Sequence, residues 1–163
     1  MQINSRATFD GRDCAIEYND AEDFSQLPRE LCTQIYGVCF LNDKMVLVHC
    51  MDTNKWGLVG GTIESGETYE QALKREIQEE SNMEVLAWKP IGYQKIVYDD
   101  NGEILFQLRA VCKVRPLGKF ISDPDGDVDE IKLINPDDYR KYFDWGETSE
   151  RIMEVAKMEL NNL

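Results

Sequence analysis

The sequence predicts an α/β fold in which a mixed central sheet lies between helices, an α/β/α sandwich. Short runs rich in β-branched and aromatic residues occur on both sides of one strongly predicted central helix, and a second helical pattern closes the chain. At 163 residues, one domain spanning residues 1–163 is the simplest organisation, and it is long enough to bury a substantial core. We expect the polar residues 1–30 to form an N-terminal extension packed on that domain.

The composition restricts the partners that this chain can have. It is 42% hydrophobic and 30% charged, as is typical of an ordinary globular protein. The formal net charge of −13 argues against binding to nucleic-acid polymers and to anionic membranes, because both depend on basic patches. No apolar run approaches the roughly 20 residues that cross a bilayer. A small phosphate-bearing molecule would also be repelled, unless divalent cations bridge it to acidic side chains.

The cysteines and the N-terminus favour a cytoplasmic protein. The five cysteines are scattered and include no C-x-x-C pair, which indicates reduced thiols and argues against a disulfide framework or a zinc site. Residues 1–6 are too polar for a secretory signal. The single histidine, His49, lies in an apolar predicted strand and is interpreted as a structural side chain, which argues against Ser–His or Cys–His nucleophilic chemistry.

The part of the chain before the central helix is predicted to form two hairpins. The first turns around Asp10 and Gly11, and an acidic, loop-like stretch over residues 19–29 follows it. The second pairs the apolar runs 35–41 and 45–51 through a short polar turn. Both hairpins would contribute antiparallel pairs to the sheet.

The part after the central helix is predicted to return to strands and then to close with helices. An Asn-Gly pair at 101–102 indicates a hairpin turn, and residues 115–129 form a long loop rich in Gly, Pro and Asp. The apolar positions of the last helix are helically spaced. The predicted strands cover residues 84–88, 92–98, 103–114 and 130–134, and the predicted helices cover residues 136–143 and 149–160.

The central helix has start and stop signals and an acidic face. Thr68 and Gln71 form a capping box, so the helix should begin at about residue 69 and end at Asn82, which tolerates a left-handed backbone. Glu76, Glu79 and Glu80 fall within about 100° of arc on this helix. Such carboxylates repel each other, and their hard oxygens suit Mg²⁺ or Mn²⁺. The alternative interpretation is a solvated acidic face in an acid-rich chain.

A glycine pair stands just before this helix and argues against a merely solvated acidic face. An apolar run over residues 56–59 ends in Gly60 and Gly61, and a loop then leads into the helix. Arg75, on the helix, can pair with Glu67 in that loop and stiffen it. Glu67 and Arg75 are therefore interpreted as structural supports of the acidic face, not as reacting groups.

Residues 61–83 carry the pattern Gly, five residues, Glu, seven residues, then Arg-Glu-apolar-x-Glu-Glu-x-Gly-apolar, with one departure. Asn82 stands in place of the last glycine, and Asn is the next-best residue for the left-handed backbone there. This pattern resembles the signature of the Nudix hydrolases, the Nudix box. The matching residues are Gly61, Glu67, Arg75, Glu76, Ile77, Glu79, Glu80 and Met83.

The resemblance implies a Nudix-type sandwich and a specific chemistry. Nudix enzymes cleave a nucleoside diphosphate linked to another group, by attack of water on phosphorus with the help of divalent metal ions. By resemblance, Glu76, Glu79 and Glu80 are ligands of Mg²⁺, with Mn²⁺ as an alternative, and the backbone carbonyl of Gly61 joins them. The chain is thus expected to be an enzyme.

The residue that polarises the attacking water is left open by the resemblance. Glu76 or Glu79 can do so, or an acid of the late loop can. Many relatives place such an acid at the start of the strand after the long loop, where this chain has Glu130, with Asp127 and Asp129 close by. A solvated acidic loop is the alternative interpretation of Glu130.

Three residues are candidates for contact with the nucleotide. Trp145 belongs to an aromatic group that could stack on a base, although aromatic residues at this density are more often core. Glu147 could hydrogen-bond to a base edge. Tyr98 lies near a position where dinucleoside-polyphosphate hydrolases often carry a tyrosine, a coincidence that is common in an aromatic-rich strand.

The leading functional hypothesis is a pyrophosphohydrolase acting on a small nucleotide. A (deoxy)nucleoside triphosphate, unmodified or oxidised, would be cleaved to the monophosphate and pyrophosphate. ADP-ribose, nucleotide sugars and dinucleoside polyphosphates remain alternatives. A Nudix module that senses a nucleotide without turnover is a rival from another class, but such modules usually lose glutamates that this chain retains. The sequence leaves a monomer and a homodimer open.

Overall fold

The computed structural model describes all 163 residues and contains one nine-stranded mixed sheet with an α-helix on each face. The strand order is β1-β2-β7-β8-β3-β4-β5, with β6 paired to β3 and β9 paired to β4. The strands are β1 (Gln2–Phe9), β2 (Arg12–Asp20), β3 (Cys32–Leu41), β4 (Lys44–Cys50), β5 (Lys55–Gly57), β6 (Val59–Thr62), β7 (Met83–Tyr98), β8 (Ile104–Pro116) and β9 (Val128–Ile134). The helices are α1 (Tyr69–Ser81) and α2 (Glu147–Leu160).

The two faces of the sheet carry two separate apolar clusters. In β3, Ile35 and Cys39 belong to the cluster beneath α1, whereas Val38 and Phe40 belong to the cluster beneath α2. This division follows from the two-residue period of a strand, and it makes β3 apolar on both faces. The parallel pairing of β3 with β8, among antiparallel neighbours, makes the sheet mixed. The predicted α/β sandwich is confirmed.

The N-terminal residues form a hairpin that extends this sheet. β1 pairs with β2 through the turn at Asp10 and Gly11, both with positive φ, as the sequence predicts. β2 then pairs with β7. Asp20, at the end of β2, accepts a hydrogen bond from the guanidinium of Arg151 in α2 at 2.7 Å. Ile3 lies in the cluster beneath α2.

Several predicted boundaries differ from the structure, and β3 begins at Cys32, three residues before the predicted run 35–41. β7 is one strand of 16 residues, where the sequence predicts two separated by Pro90. Its pairing with β8 is irregular at Pro90, so the missing N–H is tolerated there and the strand continues. β9 begins at Val128, and α2 begins at Glu147, each two residues earlier than predicted. The predicted helix 136–143 is a 3-10 turn over Pro136–Lys141.

Both α-helices are short. Neither has the length and apolarity needed to cross a bilayer.

Candidate active site

Side chains at its two ends set the limits of helix α1. The Thr68 hydroxyl accepts from the Gln71 N–H at 3.1 Å, and the Gln71 side chain accepts from the Thr68 N–H at 2.9 Å, so the predicted capping box is formed. Asn82 adopts the left-handed conformation with φ 53° and ψ 40°. The residue in place of the last glycine of the Nudix box therefore keeps the backbone that this position requires.

The glycine pair allows the acidic helix to approach β6 closely. A Cβ at Gly60 would collide with the backbone of Ile35 on β3, and a Cβ at Gly61 would lie 2.7 Å from Oε2 of Glu76. Without side chains at these positions, the Gly60 N–H donates to Oε2 of Glu80 at 3.0 Å. Glu76 and Glu80 are consequently buried, with 8% and 9% exposure.

Arg75 connects the loop and the helix as predicted. Its Nε and Nη2 donate to the two carboxylate oxygens of Glu67 at 2.9 and 2.8 Å. Its Nη1 donates to Oε1 of Glu76 at 2.8 Å and to Oε2 of Glu79 at 3.2 Å. A further bond from Nη2 to the Thr62 carbonyl, at 2.8 Å, fixes the end of β6. Arg75 thus holds two of the predicted metal ligands and the loop that precedes them.

Burial dominates the electrostatics of the three box glutamates. Desolvation raises the pKa of Glu80 to about 8, although the bond from Gly60 opposes the shift. Desolvation also raises the pKa of Glu76 and of Glu79, against the opposing charge of Arg75. Neighbouring acids raise all three further. The site is therefore short of positive charge.

The donor set fits a hard divalent cation, although the side chains are not closed around one. No group of three His, Cys, Asp or Glu side chains is arranged as a metal-binding cluster, and Arg75 engages Glu76 and Glu79. Several partly desolvated carboxylates that repel each other are nevertheless the oxygen donors that Mg²⁺ and Mn²⁺ select. The residues that could hold the ion are Glu76, Glu79, Glu80 and, through its carbonyl, Gly61.

The late loop contributes Asp123 and Asp125, which were not among the predicted site residues, and Asp127, which the sequence placed close to Glu130. The buried Asp123 accepts the backbone N–H groups of Asp125 at 3.0 Å, Asp127 at 3.2 Å and Val128 at 3.1 Å, which fixes the loop. The charge of Asp125 acts on Glu79, and the charges of Asp123 and Asp127 act on Glu80. The alternating run Asp-Pro-Asp-Gly-Asp at 123–127 is the signal from which this could have been found.

Glu130 is the third residue of β9. It is exposed and sits opposite His49 in the β4–β9 ladder, where its charge acts on the imidazole. Asp129, next to it, lies 2.6 Å from Nδ1 of His49. The catalytic role of Glu130 stays a prediction, and the loop aspartates are the acids that the structure brings to the box.

The three candidate nucleotide contacts lie on parts of the chain other than helix α1. Trp145 is 41% exposed and packs at 4.7 Å, ring centroid to centroid, on Phe143 of the cluster beneath α2. Glu147 is exposed at the first residue of α2. Tyr98 lies at the end of β7 beneath Arg12, whose Cζ is 3.8 Å from the ring centroid. Their roles in binding substrate stay predictions.

A polar cavity opens beside the acidic helix. Its volume is about 480 Å³, and it lies between the second half of α1 and the late loop. Glu79 and Arg75 line it, so a group bound there would lie beside the Glu79 carboxylate. Its other lining residues are Gln78, Asn82, Lys119, Ile121, Ser122 and Pro124.

The sequence matches one family and one curated protein. Residues 33–155 match the family model described as NUDIX domain. A Nudix hydrolase of Deinococcus radiodurans is 54% identical over 36 residues, which are 21% of this chain and 21% of that protein. The match to this relative therefore spans about a fifth of its length.

Three solved proteins with different descriptions have a fold similar to that of this chain. A mutant of the Bacillus subtilis pyrophosphohydrolase BsRppH has a TM-score of 0.62 at 18% identity, over 74% of this chain and 72% of that one. The NUDIX domain of Shewanella oneidensis NrtR complexed with ADP ribose has 0.62 at 16%, over 84% and 96%. MutT NUDIX hydrolase from Burkholderia pseudomallei has 0.57 at 16%, over 75% and 95%. At these identities the similarity shows the fold.

Proposed function

The chain belongs to the Nudix family, and we propose that it is a metal-dependent pyrophosphohydrolase that cleaves a nucleoside diphosphate linked to another group. The observation that carries this proposal is the group of three box glutamates, of which two are buried without enough positive charge around them. A carboxylate group of this kind is unfavourable for folding alone and favourable for holding cations beside a phosphate.

The residues of the site have separate tasks in this proposal. A bound Mg²⁺ ion would neutralise the phosphate oxygens and activate water. Gly60 fixes the carboxylate of Glu80 through its N–H, and Arg75 orients Glu76 and Glu79. Glu79 borders the cavity, and its carboxylate is the base that we place closest to an attacking water, with Glu76 as the alternative.

The substrate we propose is a (deoxy)nucleoside triphosphate, cleaved to the monophosphate and pyrophosphate. Support comes from the net charge of −13, which favours a small ligand bridged by cations over a nucleic-acid polymer. ADP-ribose is the second candidate, because the similar NrtR domain was solved with that ligand. We further propose a cytoplasmic enzyme that uses Mg²⁺ as its physiological ion.

The experiment that tests this proposal is hydrolysis of a nucleotide panel with Mg²⁺, in which released phosphate is measured after coupling to a pyrophosphatase or a phosphatase. Glu79→Gln should lower turnover at least about 100-fold without loss of folding, because it removes a metal ligand or the base. Glu70→Gln is the matched control, since Glu70 is exposed on the same helix and pairs with Lys74 at 2.7 Å. Wild-type rates in Glu79→Gln would contradict the proposal.

A further inference from the structure

A band of polar side chains crosses the sheet on the face that α2 covers. Gln34 lies opposite Gln107, and Gln107 lies opposite Gln94, so three amides form a row across β3, β8 and β7. Two residues further along, Tyr36 lies opposite Arg109 on the same face. Tyr36 also packs against the apolar cluster beneath α2. These five residues, the polar band, interrupt a face that is otherwise mostly apolar.

Arg109 is buried in this band without a counter-charge. It is 3% exposed. Its guanidinium donates to the Leu108 carbonyl at 3.1 Å, to Oε1 of Gln107 at 3.2 Å and to Oε1 of Gln94. All three acceptors are neutral, and the Nε of Arg109 has no hydrogen-bond partner. The Cζ of Arg109 lies 5.0 Å from the centroid of the Tyr36 ring.

This arrangement is unfavourable unless a ligand completes it. A buried charge without a counter-charge destabilises the folded state, and so does an unpaired buried donor. The chain contains 31 acidic residues, yet none of them pairs with Arg109. Burial lowers the pKa of Arg109 to about 10, so the side chain remains cationic at neutral pH. A partner from outside the chain that brings acceptor atoms would satisfy both the charge and the free Nε.

The polar band begins at the strand that carries the acidic site. Gly60 of β6 lies opposite Tyr36, and Tyr36 lies opposite Arg109. Since adjacent strands are about 4.8 Å apart, the backbones of Gly60 and Arg109 are about 10 Å apart. The Gly60 N–H holds Glu80, which lies with α1 on the opposite face of the sheet. Because β6 pairs only with β3, its outer edge is free, and a ligand with its phosphates at Glu80 would pass around this edge to place its next group at the polar band.

We propose that the polar band binds the base of the substrate nucleotide and that Arg109 recognises the O6 and N7 acceptors of a 6-oxopurine, such as guanine or hypoxanthine. Arginine bonds these two atoms in a bidentate manner. Adenine has an amino group in place of O6, so a donor would face the guanidinium. This inference rests on the proposed function, because it requires a nucleotide at Glu80.

A base fits the rest of the band better than a second phosphate does. The amides of Gln34, Gln94 and Gln107 each present an acceptor oxygen as well as donor hydrogens, and a base edge uses both. The partial negative charge of the amide oxygens would repel a phosphate. Tyr36 supplies an aromatic surface beside the amides.

The rim of the band gives access to Arg109. Gln34, Tyr36 and Gln107 are partly exposed, whereas Gln94 is buried. Gln107 donates to Oε1 of Gln34 at 2.7 Å. The Oε1 of Gln107 accepts from Arg109 at a longer distance, 3.2 Å. A base that enters beside Gln34 and Gln107 replaces the Gln107 oxygen at the guanidinium.

The experiment measures binding of nucleoside monophosphates in Mg²⁺, since these have no anhydride bond that the proposed reaction could cleave. Calorimetric titrations in Mg²⁺ compare GMP, IMP, AMP, CMP and inorganic phosphate on the full chain. GMP and IMP should bind at least 10-fold more tightly than AMP. Arg109→Met should abolish this preference while the melting temperature stays the same or rises, because an uncompensated buried charge is removed. Lys113→Met, four residues along the same strand, is the control and should keep the preference.

Four outcomes would overturn the inference. The first is equal binding of AMP and GMP by the wild type, and the second is no detectable binding of any nucleotide. The third is inorganic phosphate binding that is as tight as GMP binding and that Arg109→Met removes. The fourth is a preference for GMP and IMP over AMP that survives in Arg109→Met. If Arg109→Met does not fold, Gln107→Leu at the partly exposed rim must reduce the preference at least threefold. Hydrolysis with Mg²⁺ is measured separately, so a failure here is distinguishable from a failure of the proposed function.

Discussion

Glu80 and Arg109 are buried ionisable residues near the two ends of the register line from Gly60 through Tyr36 to Arg109, which Glu80 joins through its bond from the Gly60 N–H. Glu80 accepts one backbone hydrogen bond and faces other acids, whereas Arg109 is surrounded by neutral acceptors. Each alone lowers stability. Gly60, whose N–H holds Glu80, and Arg109 are separated by two strand spacings, which is a reason to attribute both buried groups to one ligand with anionic and acceptor groups.

His49 provides a test of electrostatics at the level of one residue. Its Nδ1 is 2.6 Å from Oδ1 of Asp129, and its Nε2 is 2.9 Å from Oδ1 of Asn54. Two acceptors favour the protonated imidazolium, and the bond to Asp129 is the main cause that raises the pKa above 6.5. The stability that this provides is complete below the unfolded pKa and is lost as pH rises through the folded pKa.

We expect an NMR titration of the imidazole, the only one in the chain, to give a midpoint above 6.5. Asp129→Asn should lower that midpoint, because the charged acceptor is removed. Asp43→Asn, which alters an exposed acid in the β3–β4 turn, is the control. A midpoint at or below 6.5 in the wild type, or one that Asp129→Asn leaves unchanged, would show that the contact does not persist in solution.

At the scale of elements, α1 is placed by its ends and by the strand beneath it. The capping box at Thr68 fixes its start, and the glycine pair of β6 lets it approach the sheet. Asn82 ends it, and the Nδ2 of Asn82 donates to the Lys119 carbonyl at 3.0 Å. The same residue therefore terminates the helix and holds the late loop beside it.

Substitutions of Asn82 should separate these two contributions. Asn82→Ala places a β-carbon in the left-handed region and should cost about 1–2 kcal/mol more than Asn82→Gly, which relieves the strain. Both lose the bond to Lys119 and should free the late loop. Urea unfolding measures the first effect, and amide hydrogen exchange of residues 119–127 measures the second. Equal stability of the two variants would mean that the backbone does not hold φ near 53°.

At the scale of the whole molecule, the charge of −13 should make stability depend on divalent ions. Mg²⁺ at millimolar concentration should raise the melting temperature above that in NaCl of equal ionic strength, because it binds the folded carboxylate site. Glu80→Gln should be more stable than the wild type in EDTA and should gain less from Mg²⁺. Differential scanning fluorimetry provides the measurement. If NaCl reproduces the whole effect, general screening is responsible and the specific site is contradicted.

The N-terminal hairpin allows a test of domain organisation. We propose that residues 1–163 form one cooperative unit, since β2 pairs with β7 and Asp20 bonds to Arg151 of α2. Removal of residues 1–20 uncovers β7 and should lower the melting temperature by about 10 °C or more. Arg6→Gln, which breaks only an exposed ion pair, should have little effect. Two separate unfolding transitions in the full chain would contradict the proposal.

Local patterns in the sequence were sufficient for the fold class and for the Nudix box. The capping box, Asn82 and the pairing of Arg75 with Glu67 follow from residues close together in the chain, and the structure forms all of them. The extent of β7 was not predictable, because Pro90 normally ends a central strand. Only the pairing with β8 shows that the ladder is irregular there.

By itself, the sequence determined the acidic helix, because a 3.6-residue period and its caps act over a few residues. The tertiary structure decided which other charges meet that helix. Asp125 and Asp127 approach it because a loop returns from more than 40 positions further along the chain. Arg109 stands in line with Gly60 because β6 and β8 both pair with β3 at Tyr36. Strand order and loop return join distant residues, and no short-range pattern encodes those contacts.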